Sequence, residues 1–501
     1  MKTNKILIIG YFVLLVSSSQ YSLANEFDLP DLGTPSDSVL SPVKEKEIRD
    51  EIINQIYEFD LVITDPIISD YIEQLGYKLA SNSENPASPF DFFMVNSSVV
   101  NASAYPGGLI VVYAGLFLKS DTESELAGVV AHEIAHVTQR HMSRAYANAK
   151  KNTIPTILGM LGAVAVSQMS NSRDAPIAVA AVTSAMQQQS MINFTRLHEY
   201  EADRVGISTL IKSSFNPDGM ANFFAKLMRE NPVDQRYRLP EYLRTHPLSV
   251  NRVSEAKNRA YEYQGNMDYI ESDLYSFVKE RIRIVSKHIE IDNASYYRKL
   301  FKDIDKSEIT PAQHYGYALA LYHSNENVKA LEVIRSIKKS NQTALMISVL
   351  EANILAELDW DKAKTKFDEL YGFYPNSPIV IEPYIQILAM VKNPDNTKKA
   401  ILLARKLIQL YPDKPSYYQL LAVTNQNAGK SIEANEALAT KEHLVNNNYR
   451  AVRILKNILK GELDYYQRAK IESKITQYEN LITNKERSRE ILEEKTGRRP
   501  Y

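Results

Sequence analysis

Cysteine is absent from all 501 residues, so no disulfide can brace this chain and no lipid-modified cysteine can follow an export signal. A charge excess is missing too. With 59 basic against 60 acidic residues the formal net charge is −1, which argues against nucleic acid as a dedicated partner. Long apolar runs are lacking as well: beyond Ile6 to Val16 no stretch approaches the roughly 18 residues a membrane span needs. What is present at the start is Lys2 and Lys5, that short apolar run, and Ser22-Leu23-Ala24 with small residues at the two cleavage positions. This reads as a secretory signal peptide over 1–24. The remainder is too long for one ordinary core, so two domains are expected.

The most informative stretch is Glu123 to His141, E-S-E-L-A-G-V-V-A-H-E-I-A-H-V-T-Q-R-H. Ser120 followed by Glu123 predicts a capping box, and Leu126, Val129, Val130, Ile134 and Val137 recur at helical spacing. His132 and His136 then share one helical face, where both imidazoles can reach one zinc ion. Glu133, about 100° round the helix, can reach a water beside that ion instead. Further on, Glu199 and Asp203 again lie one turn apart, which makes Glu199 a candidate third ligand. Asp203 is placed to hold the tautomer of a ligand histidine. Glu201, about 200° round from Glu199, is expected to have no part in metal binding. A metzincin needs Gly and His where this chain has Gln139 and Met142, so the pattern is of the gluzincin type.

V-V-A-H-E-I-A-H-V-T-Q-R-H, the later E-Y-E-A-D-R-V-G, the upstream N-A-S-A-Y-P-G-G-L-I-V-V-Y-A-G-L and Thr245-His246-Pro247 together resemble the HtpX and CAAX-protease family of zinc peptidases. The resemblance implies one zinc per chain, with His246 and Arg252 beside it. There the histidine can approach the metal and displace the catalytic water, and either residue can stabilise an oxyanion. It also implies that a strand around Asn101 and Ala102, leading to Gly107 and Gly108, lines the cleft and pairs with extended substrate. An ordinary hairpin is the plainer reading of that segment. His141 and His198 are expected to be structural.

Elsewhere, helices are predicted over Glu45–Tyr57 and Pro66–Leu79, and strands over Phe90–Val95 and Leu109–Tyr113. Two apolar segments, Ile154–Val166 and Ala175–Met186, predict a helical hairpin over the active-site helices, with a tip that touches a membrane surface or gates the cleft as the alternative. Beyond Gly265 the pattern changes. Lys329-Ala330, Lys362-Ala363, Lys399-Ala400 and Glu433-Ala434 recur at a period close to that of tetratricopeptide repeats, whose concave face binds protein segments.

The expected architecture is therefore mainly α. A zincin-type domain with a small sheet occupies 25–265 and an α-solenoid of tetratricopeptide-like repeats occupies 266–501. The expected activity is that of a periplasmic zinc endopeptidase. Its clients, by resemblance, are unfolded or stalled outer-membrane β-barrel proteins, with the barrel-assembly machinery as a partner. The rival expectation is a chaperone-like scaffold whose metal site is kept closed by His246. An integral-membrane prenyl-protein peptidase is the poorer third reading, since it would need spans of roughly 18 or more apolar residues.

Overall fold

In the computed structural model the described residues are 40–148, 196–230, 241–263, 269, 271–286, 293–303, 305, 307–391, 393–482 and 487. The expected signal peptide, the apolar hairpin at 154–186 and the boundary at Gly265 lie outside them. Helix α1 (Pro42–Glu58) starts with Ser41 accepting from Lys44 N–H and a proline at its first position. It buries Ile48, Ile52 and Ile56, a stripe at i, i+4, i+8. Helix α2 (Pro66–Ala80) is capped by Asp65, which accepts from the N–H groups of Ile67 and Ile68.

Between them lies a sheet of β1 (Asp91–Val95), β2 (Ala102–Tyr105) and β3 (Leu109–Tyr113), in the order β1-β3-β2. β1 runs parallel to β3, and β2 antiparallel to it. The central strand is buried on both faces. Leu109, Val111 and Tyr113 meet the isoleucines of α1, whereas Ile110 and Val112 join the main core with α2. β2 and β3 do form the plain hairpin, through a 3-10 turn at Pro106–Gly108, and β2 is one edge of the sheet. Gly107 and Gly108 have φ of +77° and +80°, and a Cβ on Gly108 would lie 1.7 Å from Pro89 O. Turn geometry and close packing therefore account for this glycine pair.

After α3 (Ala114–Lys119) comes α4 (Glu123–Thr138), buried from Glu123 to His136. Its cap is Thr122, which accepts from Glu125 N–H, and not Ser120. Helices α5 (His141–Asn148), α6 (Arg196–Lys212), α7 (Asp218–Glu230), α8 (Glu241–Thr245) and α9 (Val250–Glu262) complete the shell around it. At Gly206 a Cβ would come within 3.1 Å of His132 N and 2.8 Å of the Met220 methyl, so glycine lets α6 lie directly on α4.

The remaining helices are α10 (Asp273–Val285), α11 (Asn293–Asp303), α12 (Pro311–His323), α13 (Asn327–Ser336), α14 (Ala344–Leu358), α15 (Trp360–Phe373), α16 (Pro378–Met390), α17 (Pro394–Leu410), α18 (Pro415–Asn427), α19 (Ser431–Leu444), α20 (Asn448–Ile458) and α21 (Tyr465–Glu479). From α11 onward each packs on its neighbours in sequence, the arrangement of a helical repeat array, while α10 packs on α12. The recurring alanines explain the period: Ala330, Ala363, Ala400 and Ala434 are all buried, one each on α13, α15, α17 and α19, where a small side chain admits the neighbouring helix.

The array is not separate from the first half. Tyr275, Phe277, Ile282, Tyr297 and Tyr315 belong to the same core as Tyr71, Phe117 and Val130. The Tyr275 ring stacks on Phe117 at 5.2 Å and its hydroxyl donates to Ser120 O at 2.7 Å. Arg281 donates twice to Asp65, the α2 cap, at 2.8 and 2.6 Å.

Farther along, α2 and β1 meet α16 and α18 around a cavity of about 90 Å³ lined by Asp70, Glu73, Glu382 and Tyr417 among others. Part of Glu382 reaches solvent, but the seam encloses its carboxyl group, and that desolvation pushes it up to about 8 against a hydrogen bond from Tyr417. A carboxyl raised in the fold holds its proton while the unfolded chain releases one. Stability is therefore lost as pH rises from about 4.3, the free value, to about 8. Glu382→Gln should flatten that fall, its melting temperature exceeding that of the unsubstituted chain at pH 8.5 by an amount worth on the order of 2 kcal/mol and matching it near pH 3.5, below the free value. Parallel melting curves across that range would show that the carboxyl is solvated.

Candidate metal centre

Four side chains from three segments converge beneath β2. His132 and His136 come from α4, Glu199 from α6, and His246 from the residue after α8. All four are buried, and one ligand atom from each lies within 4.8 Å of the others. His132 Nε2 is 3.0 Å from His136 Nε2 and 3.3 Å from His246 Nδ1, and His246 Nδ1 is 3.2 Å from both Glu199 oxygens. Glu199 oxygens lie 3.5 Å from His132 Nε2 and 3.6 Å from His136 Nε2. Three imidazole nitrogens facing one carboxylate at such distances are a donor set suited to zinc. The residues fit the ion.

Glu133 sits one residue from the first histidine and is 1% exposed. Its Oε2 accepts the N–H of Ala104 on edge strand β2 at 2.9 Å. Its Oε1 makes no hydrogen bond among the described residues and lies 3.5 Å from His246 Nε2. His246 thus stands between the ligand cluster and the carboxylate.

Behind the ligands the charges are tightly held. Arg252 on α9 donates to both oxygens of Asp203, 2.8 Å each, to Glu199 Oε2 at 2.8 Å and to Pro247 O at 2.9 Å. Those contacts make it a clamp on the two carboxylates. Asp203 Oδ1 is 3.0 Å from His132 Nδ1, close, although the angle falls short of a hydrogen bond. Burial alone would disfavour a charged His132, but Asp203 and Glu199 outweigh it and bring the ring to about 9 in the absence of metal. Burial, reinforced by His132, pushes His136 well below the usual histidine range. Glu199 stays ionised because His246 and His132 outweigh its desolvation.

Two groups given no metal-site role by sequence reasoning reach the centre. His141 Nδ1 lies 2.8 Å from His136 Nδ1, and Glu201 meets His141 Nε2 at 3.0 Å. Burial pushes His141 down to about 4, against the opposing pull of Glu201. Tyr242 on α8, fully buried, stacks on the His246 ring at 4.8 Å. The only trace of these in the sequence is a third histidine five residues after His136 and an aromatic four residues before His246.

Two histidines one helical turn apart, a carboxylate from a second helix and a glutamate beside the first histidine define a zinc metalloendopeptidase of the gluzincin type. A profile described as Peptidase family M48 matches residues 66–260, the span that holds every one of these groups. The chain belongs to that family. It is 31% identical to the "Beta-barrel assembly-enhancing protease" of Yersinia pestis over 90% of this chain and 92% of that one. It is 39% identical to the protein of the same name from Escherichia coli (strain K12), over 49% of this chain and 50% of that one. A "Putative beta-barrel assembly-enhancing protease" of Vibrio cholerae matches at 34%, over 62% and 63% respectively. Similarity to the Yersinia protein runs through the repeat array as well as the peptidase.

Proposed function

We propose that this chain works in the periplasm on outer-membrane β-barrel proteins, cleaving those that are misassembled and assisting the assembly of others, with the barrel-assembly machinery as its partner. The names of the relatives support the client class, and the signal-peptide pattern at 1–24 supports export. No helix among the described residues is long and apolar enough to cross a membrane. Within the chain, residues 25–265 carry the chemistry and the array that follows selects clients, its successive helices offering a surface for protein segments.

In this reading His132, His136 and Glu199 hold the zinc, and Asp203 and Arg252 keep the ligands in place. When bound, zinc polarises the scissile carbonyl and makes a water acidic enough to attack near neutral pH. Glu133 takes the proton from that water through its unbonded Oε1 and passes it to the leaving amine. The edge strand β2, which begins at Ala102 just after Asn101, pairs with extended substrate, held in register by the Gly107–Gly108 turn.

The observation that carries the proposal is the place of His246, with Nδ1 on the ligand cluster and Nε2 toward Glu133. With zinc bound, His246 would stand where a nucleophilic water is needed, so the resting enzyme would be closed and would open when His246 leaves. The same contact favours a second reading, a chaperone-like scaffold in which the site stays shut. His246→Ala separates them. We expect it to cleave casein about tenfold faster than the unsubstituted chain, with zinc content unchanged and a continued need for Glu133. A slower variant on every substrate, zinc intact, would mean that His246 serves the oxyanion and is no brake.

A further inference from the structure

His136 has two ring nitrogens, and the structure gives each a neighbour. Nε2 faces the ligand cluster, while Nδ1 faces His141 Nδ1 at 2.8 Å. In a hydrogen bond between two ring nitrogens one must carry the hydrogen and the other must be bare. The choice is settled one bond farther out. His141 Nε2 lies 3.0 Å from Glu201 Oε2, and an ionised carboxylate can only accept, so Nε2 of His141 carries the hydrogen. The same oxygen accepts from Arg144 Nη2 at 2.8 Å, which keeps the carboxylate ionised and in place. A neutral His141 is then bare at Nδ1, and the shared hydrogen belongs to His136 Nδ1. That leaves His136 bare at Nε2, the nitrogen a metal takes.

The local backbone is shaped for this contact. After α4 ends at Thr138, Arg140 adopts φ of 53°, a left-handed conformation unfavourable for a residue with a side chain. The chain turns there, and α5 begins at His141 with its ring folded back beside His136, in face-to-face contact with His198 at 4.5 Å. Arg140 is itself tied to Glu45 on α1 at 2.9 Å. A straight continuation of α4 would carry residue 141 about 140° round the helix from His136.

We infer that Arg144, Glu201 and His141 are positioning residues that fix His136 in the tautomer zinc requires. His132 and His136 are then each backed by an arginine-held carboxylate, directly through Asp203 for His132 and through His141 for His136. Such outer partners are worth about 10- to 100-fold in metal affinity. The inference rests on His136 being a zinc ligand, which the experiment checks independently.

Zinc affinity of the full-length chain is measured by competition with a chromophoric chelator for the unsubstituted protein and for Glu201→Leu, Glu201→Gln, His141→Phe and His136→Ala. Melting of each metal-free protein and the visible spectrum of each cobalt-substituted form are recorded alongside. Glu201 is 31% exposed at its side chain, so its replacement leaves the core intact. Glu201→Leu and His141→Phe are expected to bind zinc about tenfold more weakly and to shift the cobalt spectrum, with metal-free melting unchanged. Glu201→Gln, whose amide oxygen still accepts from His141, should retain most of the affinity. His136→Ala should lose the site. If the Leu and Phe variants bind zinc as tightly as the unsubstituted chain while His136→Ala does not, the relay is wrong and the ligand assignment stands. If His136→Ala binds normally, the ligand assignment itself fails. Affinity losses matched by equal losses of metal-free stability would make these residues supports of the fold and overturn the inference.

Discussion

Glu133→Gln is expected to keep its zinc and its melting temperature while kcat/KM on unfolded casein falls by about 10²- to 10⁴-fold. The substitution preserves volume in a fully enclosed site, and the amide oxygen can still accept from Ala104 N–H as Glu133 Oε2 does at 2.9 Å. Only the capacity to take a proton is lost. Because Glu133 is not among the four converging ligand groups, metal content should be indifferent to the change. Undiminished cleavage by this variant would remove Glu133 from the reaction and move the base elsewhere in the site.

The largest expected effect on stability comes from Arg252. Its side chain is 3% exposed and its guanidinium pairs with both Asp203 and Glu199. Arg252→Met would leave those two carboxylates buried with less to balance them, a loss of about 3–5 kcal/mol. The sign of the metal's effect is a sharper check than the size. Zinc returns positive charge to Glu199, so the metal-free variant should lose more melting temperature than the zinc-loaded one. Arg252→Lys keeps the charge but not the paired geometry on Asp203, and should fall between the two. Equal melting of the Met variant and the unsubstituted chain would show that the clamp carries no net stability.

The parts of the site that follow a helical period were legible in the sequence. His132 and His136, then Glu199 and Asp203, are pairs one turn apart, and two such pairs suffice to bring the cluster into view. His141 and Glu201 were not legible, for a physical reason: Arg140 turns the chain out of the helical period, so the distance from His136 to His141 cannot be computed along α4. Glu201 lies outside the ligand cluster and meets it through His141, which the same turn puts in its path. The α4 cap was misread because Ser120, Asp121 and Thr122 are all capping residue types, and only the backbone decides that Thr122 holds the position. In the second half, the spaced alanines marked the helical crossings. They could not show that Tyr275 and Arg281 join the array to the peptidase core, because such contacts connect residues more than 150 positions apart. Cutting the chain near Gly265 would expose that face.

The central claim is that one zinc, held in this cluster, is required for peptide-bond cleavage. The direct measurement is to strip the full-length chain of metal with a chelator, verify the loss by metal analysis, and follow casein digestion as zinc is added back in known amounts. Cleavage should vanish in the stripped protein, return in proportion to added zinc, and saturate at one equivalent per chain. Digestion that continues at the original rate in protein shown to be free of metal would contradict the account.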